Sequence, residues 1–160
     1  MEKAQLTSKD LQGFIDTQDI QAAILPMAGH TPTVDDAARE LGVETDQVIK
    51  SLVFMIDGRP LLVINNGTAR VDRKKIAAIM GVGRKRVKFA SPAEALEITG
   101  YIVGSMPPFG HRCKLPTLID ESVTRLDLIF GGGGDIDAML QLSPGELLRI
   151  TGGQIAALSE

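Results

Sequence analysis

A mixed α/β (α+β) domain, a compact mixed β-sheet with short helices around it, is the fold class this sequence predicts. Three observations carry that expectation. The 160 residues are 44% hydrophobic, enough for one domain, 1–160, with a buried core. Two apolar runs flank Asp57-Gly58, the turn pair of a β-hairpin. Elsewhere, capped helical segments and short strands alternate through hairpin-type links.

Each element has a local reason. Thr7 or Ser8 caps a first helix through about Thr17, with Leu11, Phe14 and Ile15 on one side. Residues 20–27 form an extended or irregular approach, so that 1–29 make an N-terminal helix and its lead-in. Thr33-Val34-Asp35-Asp36 opens a second helix that Gly42 stops, and a further turn begins near Thr45 or Asp46. The hairpin strands are 51–56 and 60–65, and Asn66-Gly67 turns the chain again. Asp72 caps a helix carrying Ile76, Ala77, Ile79 and Met80, which leaves Lys74 and Lys75 toward its exposed side. Residues 86–90 alternate as a short strand.

Ser91-Pro92-Ala93-Glu94 combines an N-cap, a first-turn proline and a capping-box glutamate, and Gly100 ends that helix. Ser143-Pro144-Gly145-Glu146 repeats the same grammar up to Gly152. The flanks share no register, so this is convergence on a good short helix and not a duplicated domain. Between the two helices come strands near 115–120 and 126–130, then Gly131-Gly132-Gly133-Gly134, then a strand near 136–142.

Composition removes several functions. Aromatic residues are 4% of the chain, with no Trp and one Tyr, which argues against a base-stacking platform. The single Cys113 excludes an intrachain disulfide, and no paired Cys/His spacing exists for zinc; neither a metal nor a cofactor is expected. Met1 to Gln5 lack an apolar signal core and no apolar run is long enough to span a bilayer, so the expectation is a cytoplasmic protein without membrane contact. The formal net charge of −3 conceals a basic run. Arg70, Arg73, Lys74, Lys75, Arg84, Lys85, Arg86 and Lys88 are opposed there only by Asp72, a stripe that suits phosphates or a solvated face.

The candidate chemistry centres on Gly100 to His111. Glycines permit positive φ or close approach, whereas Pro107 and Pro108 fix φ and carry no N–H. The amides around Gly104 and Ser105 are therefore candidate donors to a ligand. Lys50 begins an apolar strand, where its ammonium either snorkels to solvent or holds an anionic or carbonyl oxygen. The Gly131 to Gly134 run reads as a turn ahead of an anion nest, since it lacks the Lys-Ser/Thr ending of a P-loop. His111 and Cys113 alternate, but no third group orients them as base and nucleophile. His30 lines a pocket or faces water, and Asp120 and Asp137 stand at strand ends near the glycine run, where a carboxylate could grip an ammonium.

Taken in order, Thr33-Val34-x-x-Ala37-Ala38-x-x-Leu41-Gly42, Lys50-Ser51-Leu52-Val53-Phe54, Asp72-x-Lys74-Lys75-Ile76-Ala77, Thr99-Gly100-Tyr101-x-x-Gly104-x-x-x-Pro108-Phe109-Gly110, Leu115-Pro116-x-x-Ile119-Asp120 and Leu142-Ser143-Pro144 resemble the YbaK/prolyl-tRNA synthetase-associated editing domain family. The resemblance spans roughly residues 30–152. It implies hydrolysis of wrongly aminoacylated tRNA, especially tRNA(Pro) carrying cysteine or alanine. Catalysis would be substrate-assisted, with backbone amides and a lysine positioning the ester and the 3′-terminal adenosine, and a ribose hydroxyl or the substrate thiol assisting. No triad is needed.

On that resemblance Lys50, Gly104 and Ser105 are the catalytic positions. His30, Ser51, Met106, Pro107, Pro108, Phe109, Asp120, Gly131, Gly132 and Asp137 are substrate-binding positions. Arg70, Arg73, Lys74, Lys75, Arg84 and Lys85 are the tRNA contacts, with the acceptor end of tRNA(Pro) and prolyl-tRNA synthetase as implied partners. The chain departs from the family pattern at Ser105, where a second glycine is common, at Ser51, where threonine or another polar residue is usual, and at the glycine run, which lacks a basic pair. The altered glycine loop also fits a non-catalytic module that binds a tRNA end or an aminoacyl-adenosine beside a synthetase.

Overall fold

Every α-helix among the described residues begins behind a side chain suited to cap it. In the computed structural model, which describes residues 4–160, Thr7 precedes α1 (Ser8–Thr17), Thr33 precedes α2 (Val34–Leu41) and Asp72 precedes α3 (Arg73–Met80). Ser91 precedes α4 (Pro92–Thr99) and Ser143 precedes α5 (Pro144–Thr151). The hydroxyls of Thr33, Ser91 and Ser143 accept from the amides of Asp36, Glu94 and Glu146 at 3.0, 3.1 and 3.2 Å. The two similar helices then diverge. Glu94 returns to the Ser91 N–H at 2.9 Å, whereas Glu146 reaches the Gln21 N–H at 2.8 Å and pairs with Arg149.

The strands are β1 (Ala22–Pro26), β2 (Ile49–Ile56), β3 (Arg59–Asn66), β4 (Val87–Phe89), β5 (Thr117–Asp120), β6 (Ile129–Gly132), β7 (Ala138–Leu142) and β8 (Gln154–Ala156). Asp57 (φ 51°) and Gly58 (φ 78°) both take left-handed angles, as a type I′ turn requires. β2 and β3 therefore pair in register from Ile56↔Arg59 to Ile49↔Asn66. This hairpin is the centre of a five-stranded sheet ordered β4-β2-β3-β5-β8, antiparallel at β4 and parallel at β5 and β8.

The remaining strands form a separate antiparallel sheet ordered β1-β7-β6, so the single sheet expected from the sequence is two. A lone bridge between Val48 and Phe130 joins them. Residues 20–27, expected as an approach, are mostly β1, and Pro26 is tolerated at the end of this edge strand. β8 was not anticipated. The start of the segment read as lacking a signal core, Met1 to Lys3, lies outside the described residues. No helix among the described residues is long and apolar enough to cross a membrane.

One large apolar cluster, including Leu11, Ile15, Ile49, Tyr101, Phe109, Ile119, Ile129 and Leu140, fills the space between the sheets, α1 and α5. A second, with Phe54, Val63, Ile76, Val87 and Leu158, lies under α3. A third, with Ala37, Ala38, Val48, Phe130 and Met139, lies under α2. Each large side chain buried there contributes about 1.5–3 kcal/mol. The site sits where the first and third clusters meet.

Candidate active site

β4 covers only Phe54 to Ile56 of β2, which leaves the first half of that strand uncovered on one edge. Against this open half lie the start of α2 and the turn after α4. Together they form a cleft of about 180 Å³ lined by Thr31, Pro32, Thr33, Val34 and Ala37, by residues 48–52, and by Val103, Gly104, Met106, Gly132 and Met139. Lys50, Ser51, Gly104, Met106 and Gly132, scattered through the sequence, all line this cleft.

The loop after α4 has a defined shape. The Ser105 N–H and the Ser105 hydroxyl both donate to the Ile102 carbonyl, at 3.1 and 3.0 Å. This closes a turn with Val103 and Gly104 at its tip, and Gly104 takes φ +97°. A positive φ at that third turn position favours glycine. Val103 is 57% exposed and Gly104 has open space around it, so the tip faces outward into the cleft. The Gly104 N–H has no backbone partner among the described residues. Ser105 does not match its expected role, because it is fully buried and both its donors close the turn.

Glycine in β6 seats this loop. A Cβ on Gly132 would lie 2.1 Å from the Met106 carbonyl oxygen, and one on Gly133 would lie 2.5 Å from the Ala138 backbone. Gly134 (φ +94°) gives its N–H to the Ser105 carbonyl at 2.8 Å, and a Cβ there would strike the Ser8 backbone at 2.7 Å. The run is therefore not one turn. Gly131 and Gly132 belong to β6 because close packing against the loop outweighs their turn preference. Ser8 extends the support by donating through its N–H and hydroxyl to Asp135 at 3.0 and 2.5 Å.

The far end of the loop is held by a histidine. His111 Nε2 lies 2.8 Å from the Pro107 carbonyl, which can only accept, so that nitrogen carries the proton. Burial lowers the His111 pKa and the bond to Pro107 opposes that shift. His111 meets Tyr101 edge-on with ring centroids 6.2 Å apart, and burial, aided by Asp10 and Asp135, pushes the Tyr101 phenol up to about 12. Pro107, Pro108 and Phe109 are buried. Pro108 and Phe109 line a second cavity of about 410 Å³, and none of the three is among the residues that line the cleft.

Lys50 is half-buried, and burial lowers its pKa below the ordinary lysine value. Its Nζ donates to the Ala69 carbonyl at 2.5 Å. Strand alternation puts Lys50 on the face of Leu52 and Phe54, and Ser51 on the face of Ile49 and Val53. Both still border the cleft, which runs across the beginning of the strand. Among the described residues, Lys50 is the only ionisable one in that lining.

Four other expectations are corrected. Asp120 is buried at 4% exposure, and its carboxylate accepts from the amides of Ser122, Leu158 and Ser159 at 3.0, 2.8 and 3.1 Å and from the Ser122 hydroxyl. Burial alone would raise its pKa, but these hydrogen bonds hold it below the ordinary value; the residue anchors the C-terminal segment and is unavailable to substrate. Asp137 is exposed outside the cleft, with its carbonyl accepting from Met27. His30 is exposed beside the lining residue Thr31 without joining it, and Gly131 packs under Ile49.

The basic stripe also divides. Arg86 pairs with Asp57, and Lys75 Nζ donates to the Ser159 carbonyl at 2.5 Å. Arg73, Lys74 and Arg84 converge with Asp72 and Glu160 around a shallow depression of about 400 Å³, while Arg70 and Lys85 are exposed without lining it. Sequence reasoning did not assign Thr31, Pro32, Thr33, Val34, Ala37, Val48, Ile49, Leu52, Val103 or Met139 to the site. Thr33, Val34 and Ala37 carried a signal in the Thr33-Val34-x-x-Ala37 motif, and Val103 as an apolar residue at the tip of a glycine turn.

A small cleft with one ammonium, one free loop amide and mostly apolar walls fits proteins that edit aminoacyl-tRNA. The chain belongs to the aminoacyl-tRNA editing domain family, which matches residues 28–150. It is similar to EbsC of Enterococcus faecalis, a proposed Cys-tRNA(Pro)/Cys-tRNA(Cys) deacylase, at 27% identity over 128 residues, 79% of this chain and 77% of that one. ProXp-y of Escherichia coli, a multifunctional Ser/Thr-tRNA deacylase, is 32% identical over 114 residues, 68% of this chain and 67% of its own. The solved structure of a proposed trans-editing enzyme for prolyl-tRNA synthetase superposes with a TM-score of 0.89 at 32% identity, over 96% of each chain. The activity class is aminoacyl-tRNA editing, the work of a hydrolase acting on ester bonds.

Proposed function

We propose that this chain clears mischarged tRNA(Pro), with cysteinyl- and alanyl-tRNA(Pro) as its substrates. The observation that carries the proposal is the cleft itself, which joins Lys50 and the Gly104 tip to walls made largely by Val34, Ala37, Val48, Ile49, Met106 and Met139. Its volume of about 180 Å³ is below the range of about 300–1,000 Å³ usual for drug-sized ligands. The cleft accordingly takes the aminoacyl group while the terminal adenosine lies across its rim. Apolar walls suit a methyl or a thiol, but such a pocket rejects an added hydroxyl by only about a hundredfold. Seryl-tRNA is therefore a slow substrate.

In the reaction, water attacks the ester carbonyl carbon and the bond to the ribose oxygen breaks. The ribose recovers its hydroxyl and the amino acid leaves as a carboxylate. The Gly104 N–H and the Lys50 ammonium stabilise the developing oxyanion, and rate comes from orientation and charge stabilisation. Apart from Lys50, the lining contains no titratable side chain to act as a base, which supports proton transfer through the vicinal ribose hydroxyl or the substrate thiol. Arg73, Lys74 and Arg84 supply phosphate contacts to the acceptor arm, and prolyl-tRNA synthetase is the enzyme whose errors are cleared.

The test is a deacylation panel of cysteinyl-, alanyl-, seryl-, threonyl- and prolyl-tRNA(Pro). Release of cysteine or alanine well above the buffer rate, with prolyl-tRNA(Pro) spared, is the expected result. Binding of a non-hydrolysable aminoacyl-adenosine without turnover of any of the five would replace the enzyme with a binding module.

A further inference from the structure

Register sets Lys50 directly opposite Asn65 across the β2–β3 ladder. Directly opposed residues of antiparallel strands project from one face with Cβ atoms about 4.5–5.5 Å apart. Asn65 is fully buried, an uncommon place for a carboxamide. Its Nδ2 donates to the Ala69 carbonyl at 3.0 Å, and Lys50 Nζ donates to that same oxygen at 2.5 Å. A carbonyl oxygen has two lone pairs, so one atom seats both donors.

Two further facts separate this from ordinary strand-end packing. Ala69 is exposed, and among the described residues its carbonyl accepts no backbone hydrogen bond. Among the described residues, Asn65 and Lys50 are its only hydrogen-bond donors. Asn65 Oδ1, meanwhile, is buried with no hydrogen-bond partner among the described residues, a state that disfavours the fold and that an apolar residue would avoid. The carboxamide is thus a poor choice for stability alone.

We propose that Asn65 is a positioning residue for Lys50: it locks the Ala69 carbonyl as the seat of the ammonium at the cleft, and its open Oδ1 is a spare acceptor beside that seat. When a substrate oxygen draws the ammonium off Ala69, the carboxamide keeps the carbonyl aligned for its return. This inference rests on the reading of Lys50 as a substrate-contacting group.

The test compares wild type with Asn65→Leu, which keeps shape and removes the donor, and Asn65→Asp, which places a carboxylate beside the ammonium. Single-turnover deacylation is measured against enzyme concentration, thermal unfolding reports folding, and carbon and nitrogen resonances at the end of the Lys50 side chain report its environment. In Asn65→Leu the saturating rate is expected to fall about tenfold, with half-saturation changed less than twofold and the Lys50 resonances displaced. In Asn65→Asp the Lys50 titration is expected to move to higher pH. A folded Asn65→Leu protein with an unchanged rate overturns the proposal. So does a loss of rate that only tracks unfolding while the Lys50 resonances stay in place. If the leucine variant fails to fold, an unmoved Lys50 titration in Asn65→Asp overturns it. A Lys50→Met enzyme with wild-type rate would instead remove the catalytic reading of Lys50, an outcome distinct from these because the Lys50 resonances report the Asn65 effect without turnover.

Discussion

Replacing Gly132 by alanine tests whether the loop that carries Gly104 is seated on β6. The added Cβ would stand 2.1 Å from the Met106 carbonyl oxygen, 2.6 Å from its carbon and 2.9 Å from the Ser105 oxygen. Carbon–oxygen contacts settle near 3.3–3.6 Å, so the loop must retreat by about 1 Å. It cannot do so freely, because Gly134 holds the Ser105 carbonyl and His111 holds Pro107. Overpacking of this kind costs about 1–3 kcal/mol. For a chain of this length, about 2–4 °C of Tm follows each kcal/mol, which gives a fall of roughly 2–12 °C. A displacement of about 1 Å at a reacting centre costs about a hundredfold in rate. Thermal unfolding and single-turnover deacylation read the two effects separately. Gly145→Ala is the control: its nearest neighbour is Ser143 Oγ at 3.8 Å, and in a helix alanine is favoured by about 1 kcal/mol. A Gly132→Ala protein with unchanged Tm and rate refutes the reasoning.

Further outcomes follow from the charges. Asp120→Asn removes the carboxylate that gathers the amides of Ser122, Leu158 and Ser159, and costs about 1.5–3 kcal/mol at neutral pH. Because the folded state holds this carboxyl below its ordinary value of 3.8, its stabilisation is complete above that pH and is lost as the pH falls through the lower folded value. The gap between wild type and variant should close in acid, and a gap constant down to pH 2 would contradict the assignment. Lys50 has a lowered pKa, so after subtraction of the buffer rate, deacylation should lose activity on an alkaline limb with its midpoint below 10.5. Rapid-quench rates that stay flat through that range would show that the ammonium charge is not used. Replacing Lys74 and Arg84 together by alanine should weaken tRNA binding and lower the salt slope by about 1–2, with amino-acid choice intact. An unchanged slope in filter binding would move the tRNA path elsewhere.

Most of the helices and the central hairpin were legible because their signals are local. Asp57-Gly58 dictates the turn by two positive φ angles, and Thr33, Asp72, Ser91 and Ser143 cap helices within three residues of themselves. β8 was illegible because three residues pair in parallel with β5, a contact between positions as distant as Leu118 and Gln154. The same distinction divides the site. Gly104 announced itself through a turn that favours glycine, and Lys50 through its discomfort at the head of an apolar strand. Asp120 misled because its partners are backbone amides up to 39 positions away, which no spacing rule reveals. Gly132 looked like a turn residue because the sequence cannot show that the Met106 carbonyl rests on it. Asn65 only closed the strand expected over 60–65, and the oxygen of Ala69 that it shares with Lys50 is visible only in the folded chain.

The most direct measurement of the central claim is single-turnover release of cysteine from cysteinyl-tRNA(Pro) by wild type and by Lys50→Met, with thermal unfolding of both. Removing one group that stabilises an oxyanion typically costs about 10²–10³ in rate. The expected result is release by wild type far above buffer, a Lys50→Met rate reduced by about that factor, and unfolding of the two proteins within a few degrees. Equal rates from the two proteins, or no release above buffer by wild type, would contradict it.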